Sequence, residues 1–236
     1  MHGGGEVSGD VRGTYDTVGK YLAVSSGFKV ASINYRLAPE HPFPAGLDDV
    51  VSAVHWIVNN CKILRIDCHK MALGGVSAGA RLALSVALEL RDSGKSNLLQ
   101  ALYLLYGHYS PNTDTESYNL FGNGGYGETV LDIKFFMNQT FQKPEDYKNP
   151  LAFPILATST NLIQLPPIYI VAAALDPLKD DSIKLANLLQ ASGQEYYLNV
   201  WPGVGHGVLN IVSSIPEAKI YVDSMVIYLR GVLTKN

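Results

Sequence analysis

The chain has 236 residues, of which 47% are apolar and 17% charged, and its formal net charge is −3. This composition excludes a disordered chain, and mild acidity without a Lys/Arg block argues against nucleic acid or an anionic membrane as a partner. The longest apolar runs are too short to span a bilayer, and no secretory pattern is visible, so we expect a cytoplasmic protein. Cys61 and Cys68 make no disulfide framework, and we expect them to be reduced.

Short apolar runs alternate with longer amphipathic segments along the chain, which predicts an α/β fold with a mainly parallel sheet. The predicted strands are Lys29–Tyr35, Lys70–Gly74, Leu98–Leu105, Ile168–Ala173 and Tyr196–Trp201. The predicted helices are Gly46–Asn60, Ala78–Asp92, Ser182–Ser192 and Glu217–Leu233. The glycine that follows the third of these helices, Gly193, is a predicted C-cap.

Residues 107–167 interrupt this alternation with Gly, Asn, Tyr and Pro clusters and a helix-like piece around residues 130–141. A long irregular insertion of this kind is either a lid or binding loop, or a structural excursion. We therefore predict a core of residues 1–106 and 168–236, and a cap insertion of residues 107–167. Four tyrosines lie in or beside this insertion: Tyr106, Tyr109, Tyr118 and Tyr126. They either line a substrate pocket or are ordinary core or surface residues.

Residues 75–79 (GVSAG) match the pattern G-x-S-x-G and lie between a predicted strand and a predicted helix. That context is the one the pattern requires, because small residues allow a sharp turn that exposes the hydroxyl of Ser77. A serine hydroxyl is a poor nucleophile without a base to take its proton. The pattern therefore predicts a nucleophilic serine with a histidine partner.

His206 is the candidate base. In enzymes with this serine turn the triad follows the order serine, acid, histidine. Only His108 and His206 follow Ser77, and only His206 comes after the end of a predicted strand. We therefore expect His206 to accept the proton of the serine hydroxyl.

Asp176 is the candidate carboxylate that would hold the tautomer of the histidine and stabilise its charged form. It comes just after the predicted strand Ile168–Ala173, and the proline that follows it suits a tight turn. Asp180 and Asp181 are its rivals, which we interpret instead as N-cap and first-turn charges of the next helix.

The glycine run Gly3, Gly4 and Gly5 is a candidate oxyanion hole, since successive glycines let backbone N–H groups approach a developing negative charge. The N–H of Ala78, one residue after the nucleophile, would complete it. A glycine run at a terminus is more often a flexible tail. We interpret this one as an oxyanion hole only because the candidate residues Ser77, Asp176 and His206 are also present.

Two other patterns lack the context that would give them a function. Residues 122–127 fit G-x-G-x-x-G, but no strand precedes them, which disfavours a dinucleotide site. Asn138 begins a glycosylation sequon that matters only in a secreted protein. No His/Cys/Glu spacing suggests a metal site, and we expect none.

Together these pieces resemble the hormone-sensitive-lipase family of α/β-hydrolases, and most of all its bacterial acetyl esterases. They cover nearly the whole chain: HGGG at 2–5, NYRLAPEHPFPA at 34–45, the serine turn with GARLAL at 79–84, DPL at 176–178, and GH at 205–206. The resemblance implies the α/β-hydrolase fold, the triad Ser77, Asp176 and His206, and an oxyanion loop at Gly3 to Gly5. It also implies hydrolysis of short-chain carboxylic esters without a cofactor, beneath a cap that includes residues 107–167.

Two departures from the family pattern stand out. Val76 replaces the aspartate that the family usually has before the nucleophile. Family members also carry a long segment before their glycine run, including a strand between those matching Lys29–Tyr35 and Lys70–Gly74. We therefore expect N-terminal strands of the family to be missing and the chain to be a truncated version of a longer esterase.

Two further functions stay open at this stage. A catalytically weak or silent ligand-binding member is favoured by Val76 and the truncation, and disfavoured by the presence of His206. An amidase or peptidase with the same triad is not excluded by the motif. We expect a small-molecule ester as the partner, with no nucleic acid and no stable membrane association, and homo-oligomerisation is left open.

Overall fold

The computed structural model describes residues 1–13, 15–211 and 214–234. In this part of the chain four strands form one parallel sheet in the order β1-β2-β3-β4. They are β1 (Ala72–Val76), β2 (Ala101–Leu105), β3 (Ile168–Ala173) and β4 (Tyr196–Trp201). The predicted α/β-hydrolase fold is confirmed.

The helices lie between and around the strands, and short 3₁₀ turns occupy much of the remaining chain. They are α1 (Asp16–Ser26), α2 (Ala45–Asn59), α3 (Cys61–Leu64), α4 (Ala78–Asp92), α5 (Glu116–Phe121), α6 (Val130–Thr140), α7 (Lys179–Ser192) and α8 (Pro216–Leu233). Within the described ranges, none of them combines the length and the apolar character that crossing a bilayer takes.

Successive residues of β2 alternate between two apolar cores, as the two-residue period of a strand requires. Leu102 and Leu104 face the core shared with α2, α4 and α7, whereas Ala101 and Leu105 face the core shared with α1 and α8. The sheet is therefore covered on both faces, which is the usual condition of parallel strands. Its carboxyl edge is left to the loops that carry the candidate site.

The predicted strand Lys29–Tyr35 is wrong, since residues 28–37 have no regular secondary structure. A strand exists only where a neighbour completes its hydrogen-bond ladder. The outer edge of β1 is instead met by Met1, whose ammonium donates to the Gly74 carbonyl at 2.6 Å and whose carbonyl accepts from the Val76 N–H at 3.3 Å.

An apolar trough separates residues 30–33 from β1 and encloses about 530 Å³, including the part open to solvent. Met1 and His2 line this trough beside β1. The sheet described here therefore has β1 at its edge, where the resemblance places a further strand between β1 and residues 29–35.

The expectation that the two cysteines are reduced is wrong in this structure, which bonds Cys61 to Cys68. The chain reverses after α3 at Arg65, whose φ of 53° is left-handed, and the turn brings the two Cα atoms to 5.9 Å. That separation lies within the range that disulfides span. The two cysteines therefore do not support a cytoplasmic location, which stays a prediction.

Candidate active site

Ser77 occupies a sharp turn between β1 and α4. Its backbone has φ 55° and ψ −124°, a strained conformation for a residue with a side chain, and its N–H donates to the Leu105 carbonyl at 2.9 Å. A Cβ on Gly75 would collide with the carbonyl of Gly79, so the turn needs glycine there. Val76, which stands where the family has aspartate, is buried in the apolar core beneath the turn.

His206 and Asp176 reach Ser77 from two neighbouring loops at the same edge of the sheet. His206 Nε2 lies 2.9 Å from Ser77 Oγ, and His206 Nδ1 lies 2.8 Å from Asp176 Oδ2. Asp176 is fully buried, and its Oδ1 accepts from the N–H of Leu178 at 2.8 Å. The three predicted triad residues thus form one line of hydrogen bonds.

The charge environment of His206 favours its protonated form. Burial alone would lower the pKa of His206, but the charge of Asp176, the hydrogen bond to it and the nearby Glu128 raise the pKa above its ordinary 6.5. An imidazole stabilised in this way is well suited to hold a proton taken from Ser77.

The rival carboxylates do not reach His206. Asp180 Oδ2 accepts from the Ser117 N–H at 3.0 Å, and Asp181 Oδ2 accepts from the N–H groups of Tyr109 and Ser110 at 2.9 and 3.0 Å. Both are first-turn charges of α7, as predicted, but neither caps the helix. They tie the loops after β2 to α7.

The glycine run passes directly beside the serine. A Cβ on Gly3 would come within 3.0 Å of the Ser77 Cβ, and Gly4 and Gly5 have φ of 98° and 66°. Within the described part of the chain, the N–H groups of Gly4, Gly5 and Ala78 donate to no other backbone group. They are available to an oxyanion.

Residues outside the run hold it against the serine turn. The ring of His2 stacks on Tyr35 with centroids 4.3 Å apart, and the Tyr35 hydroxyl donates to the His2 carbonyl at 2.8 Å. Thr140 Oγ1, at the end of α6, donates to the Gly5 carbonyl at 3.0 Å. Tyr35, which belongs to the segment 34–45 that carries the family resemblance, therefore helps to hold the glycine run in place.

A buried ion pair between Glu6 and Arg81 is a further anchor that the sequence analysis missed. Arg81 lies on α4, one turn after the serine, and burial lowers its pKa to about 9. Its guanidinium also donates to the Ala152 carbonyl at 2.8 Å and lies 4.9 Å above the ring centre of Phe141. The available signal was an arginine in the first turn of an Ala- and Leu-rich helix.

A cavity of about 400 Å³, including its open part, adjoins the serine. Its lining comes from the glycine run, the serine turn with α4, the loop after β2, α6 with the residues that flank it, and the residue before α7: Gly5, Ser77, Ala78, Arg81, His108, Glu128, Ile133, Phe136, Met137, Phe141 and Leu178. His108 and Glu128 were not singled out from the sequence as pocket residues.

The lining of this cavity includes none of the four tyrosines, which favours core or surface positions for them over a lining role. Tyr109 and Tyr118 are buried in the core. Tyr106 presents its ring edge to His206 with centroids 5.2 Å apart, and the carbonyl of Tyr126 accepts from the His206 N–H at 2.9 Å. Two of the tyrosines therefore position the histidine.

The glycine-rich loop 122–127 also has a role in the site, since its last residue packs on His206. Gly127 has φ 105°, and a Cβ there would lie 2.7 Å from the carbonyl oxygen of His206 and 2.9 Å from its Cβ. Gly125 has φ 87°, and a Cβ built on Gly125 would have no other atom within 4 Å. The loop is a support for the histidine, and its geometry offers a matched pair of substitutions.

Gly127→Ala is expected to lower kcat/KM for p-nitrophenyl acetate by roughly 10- to 100-fold, because displacing His206 breaks its alignment with Ser77. Gly125→Ala carries a similar backbone strain without touching the histidine, so we expect it to retain most of the activity. Steady-state kinetics of the two purified variants gives the comparison. Equal effects of the two changes would show that the contact with His206 is unimportant.

Known proteins with similar sequences are esterases. Residues 1–210 match a family described as "alpha/beta hydrolase fold". The chain is 32% identical to Esterase LipI of Mycobacterium tuberculosis, covering 99% of this chain and 72% of that protein. It is 32% identical to an acetyl esterase of Salmonella choleraesuis, covering 89% of this chain and 64% of that protein.

Solved structures show the same likeness. A thermostable esterase from Pseudomonas putida superposes with a TM-score of 0.94 at 27% identity, over 100% of this chain and 74% of that one. A hyperthermophilic esterase from the archaeon Pyrobaculum calidifontis gives a TM-score of 0.92 at 35% identity, over 99% of this chain and 76% of that one. The chain thus spans about three quarters of the length of these two enzymes.

Proposed function

The chain belongs to the hormone-sensitive-lipase-like family of alpha/beta hydrolases, and on this premise we propose that it is a serine carboxylesterase acting on short-chain, acetyl-type esters. Its catalytic residues are Ser77, His206 and Asp176. The oxyanion hole is formed by the glycine run Gly3 to Gly5 together with Ala78. The observation that carries the proposal is the continuous line of hydrogen bonds from the Ser77 hydroxyl to the buried Asp176 carboxylate.

The reaction has two halves that use the same groups. Ser77 Oγ attacks the ester carbonyl while His206 Nε2, 2.9 Å away, takes its proton. The carbonyl oxygen gains negative charge and accepts hydrogen bonds from the N–H groups of Gly4, Gly5 and Ala78. Asp176 keeps the His206 ring oriented and stabilises its charged form.

Collapse of this intermediate expels the alcohol, which takes the proton from His206, and leaves an acyl group on Ser77. Water then attacks the acyl carbon while His206 again accepts a proton. The carboxylic acid departs, and the proton returns to Ser77 Oγ. No group beyond the triad, the amides and water is needed for either half.

The preference for short acyl chains is supported by the size of the cavity and by the bulky side chains around it. Ile133, Phe136 and Met137 project from α6 of the insertion into its lining, and Phe141 follows them. Residues 107–167 are accordingly proposed to form the cap over the substrate. A silent ligand-binding protein is disfavoured, since such a protein has no need of an aligned triad.

A fluorophosphonate probe tests the proposal directly, because it reacts only with an activated serine. We expect one equivalent of label, located on Ser77 by peptide mass spectrometry, together with hydrolysis of p-nitrophenyl acetate. Heat-denatured protein is the control and should not react. Hydrolysis without labelling of Ser77, or the absence of both, would overturn the assignment.

The pH dependence follows from the raised pKa of His206. His206 must be neutral to accept a proton, so kcat/KM should rise with pH through an apparent pKa above 6.5 and then level off. Glu128→Gln removes a negative charge that raises this pKa, so the acid limb should move to lower pH. A limb unmoved by that substitution would contradict the proposed electrostatic link between the two residues.

A further inference from the structure

The cavity beside Ser77 is mostly apolar, and three further polar side chains line it: Arg81, His108 and Glu128. The guanidinium of Arg81 is occupied by Glu6 and the Ala152 carbonyl. The proposed reaction uses neither His108 nor Glu128 as a reacting group. Polar atoms in an apolar substrate pocket usually fix the orientation of the ligand.

His108 carries a buried acceptor that the protein leaves unused. Its Nε2 atom is buried and has no hydrogen-bond partner within residues 1–13, 15–211 and 214–234. The His108 ring also packs against Phe153 in an edge-to-face arrangement, with ring centroids 6.0 Å apart. A buried polar atom without a partner is unfavourable, and at the wall of a substrate cavity a ligand group can supply that partner.

The protonation state of His108 decides what that group can be. Burial, together with the nearby charge of Arg81, lowers the pKa of His108 to about 3, and the ring is neutral at working pH. The backbone of Ser110 opposes this shift. We assign the single ring proton to Nδ1, which leaves Nε2 as a lone-pair acceptor.

The surroundings of His108 disfavour ionic ligand groups at Nε2. An anionic group would meet the Nε2 lone pair. A cationic group would meet the positive field of Arg81, the same field that lowers the pKa of His108. An uncharged donor is left, and the hydroxyl group is the donor that short-chain esters most simply carry.

We propose that the pocket selects esters bearing a hydroxyl group on a short acyl or alcohol chain, and that His108 Nε2 accepts the hydrogen bond from that hydroxyl. The inference rests on the proposed esterase function and assigns its substrate class. A site built to bond a substrate hydroxyl discriminates against analogues that lack it, because the protein acceptor is then left unpaired.

Paired substrates test this inference. We would measure kcat/KM for ethyl 3-hydroxybutyrate against ethyl butyrate, and for 2-hydroxyethyl acetate against ethyl acetate. We expect the hydroxylated ester of at least one pair to be preferred by about tenfold, the factor that corresponds to one hydrogen bond of about 1.4 kcal/mol. The ratio is internal to each enzyme preparation and does not depend on the fraction that is folded.

Three variants identify the residue responsible. His108→Phe keeps a ring without the acceptor and should bring the ratio to about one, whereas His108→Gln supplies a carbonyl acceptor and should restore part of the preference. His69→Phe changes an exposed histidine and should leave the ratio unaltered. A preference that persists in His108→Phe, or its absence from both pairs in the unaltered enzyme, overturns the inference. If no ester of either pair is hydrolysed, the proposed function itself has failed.

Discussion

Replacing Ser77 with alanine is expected to lower kcat for p-nitrophenyl acetate by roughly 10⁴- to 10⁶-fold, the range known for the loss of a triad nucleophile. The change deletes one oxygen atom, the atom that lies 2.9 Å from His206 Nε2. The glycine run and Asp176 stay in place, so any residual rate reports the oxyanion hole and substrate binding alone. The measurement is steady-state kinetics at an enzyme concentration high enough for the catalysed rate to exceed the spontaneous hydrolysis of the ester.

Ser85→Ala is the matched control for this change. Ser85 is buried on the same helix, α4, and its hydroxyl donates to the Arg81 carbonyl at 3.0 Å, but it does not line the cavity. We expect its loss to leave kcat within a few-fold of the original value. Comparable losses in the two variants would point to damage to α4, and full activity in Ser77→Ala would refute the assigned nucleophile.

Where the local pattern decides the structure, the sequence was enough. Helix Ala78–Asp92 and the strands Ile168–Ala173 and Tyr196–Trp201 have the bounds predicted for them, because an Ala/Leu-rich run and two short apolar runs leave few alternatives. The candidate acid and base follow those two strands. In a parallel sheet the ends of neighbouring strands meet at one edge, so their convergence was also predictable.

Where a distant partner decides the structure, the local pattern failed. Residues 29–35 have the composition of a strand, but no strand of the described sheet pairs with them. Helix α1 was not predicted, and the glycine within it, Gly19, lowers the helix propensity of that segment. The positions of His108 and Arg81 in the cavity depend on packing between elements far apart in the chain, which no short motif encodes.

Arg81→Met is expected to destabilise the protein by about 3–5 kcal/mol, because it leaves the buried carboxylate of Glu6 without its countercharge. In a chain of this size that loss corresponds to a fall in Tm of roughly 10 °C. The Ala152 carbonyl would lose its donor as well. Since Glu6 directly follows the glycine run, we also expect kcat/KM to fall as the amides of the run lose their alignment.

A double-mutant cycle separates the pair from the packing of either side chain. In Glu6→Gln combined with Arg81→Met no charge is left unpaired, so the double variant should be more stable than Arg81→Met alone. Arg36→Met is the control, since it breaks a partly exposed ion pair with Asp49 and should change the stability by less than about 1 kcal/mol. If Arg81→Met proves no more harmful than Arg36→Met, the buried pair does not anchor the oxyanion loop. The alignment of the loop would then rest on the contacts of His2 with Tyr35 and of Gly5 with Thr140.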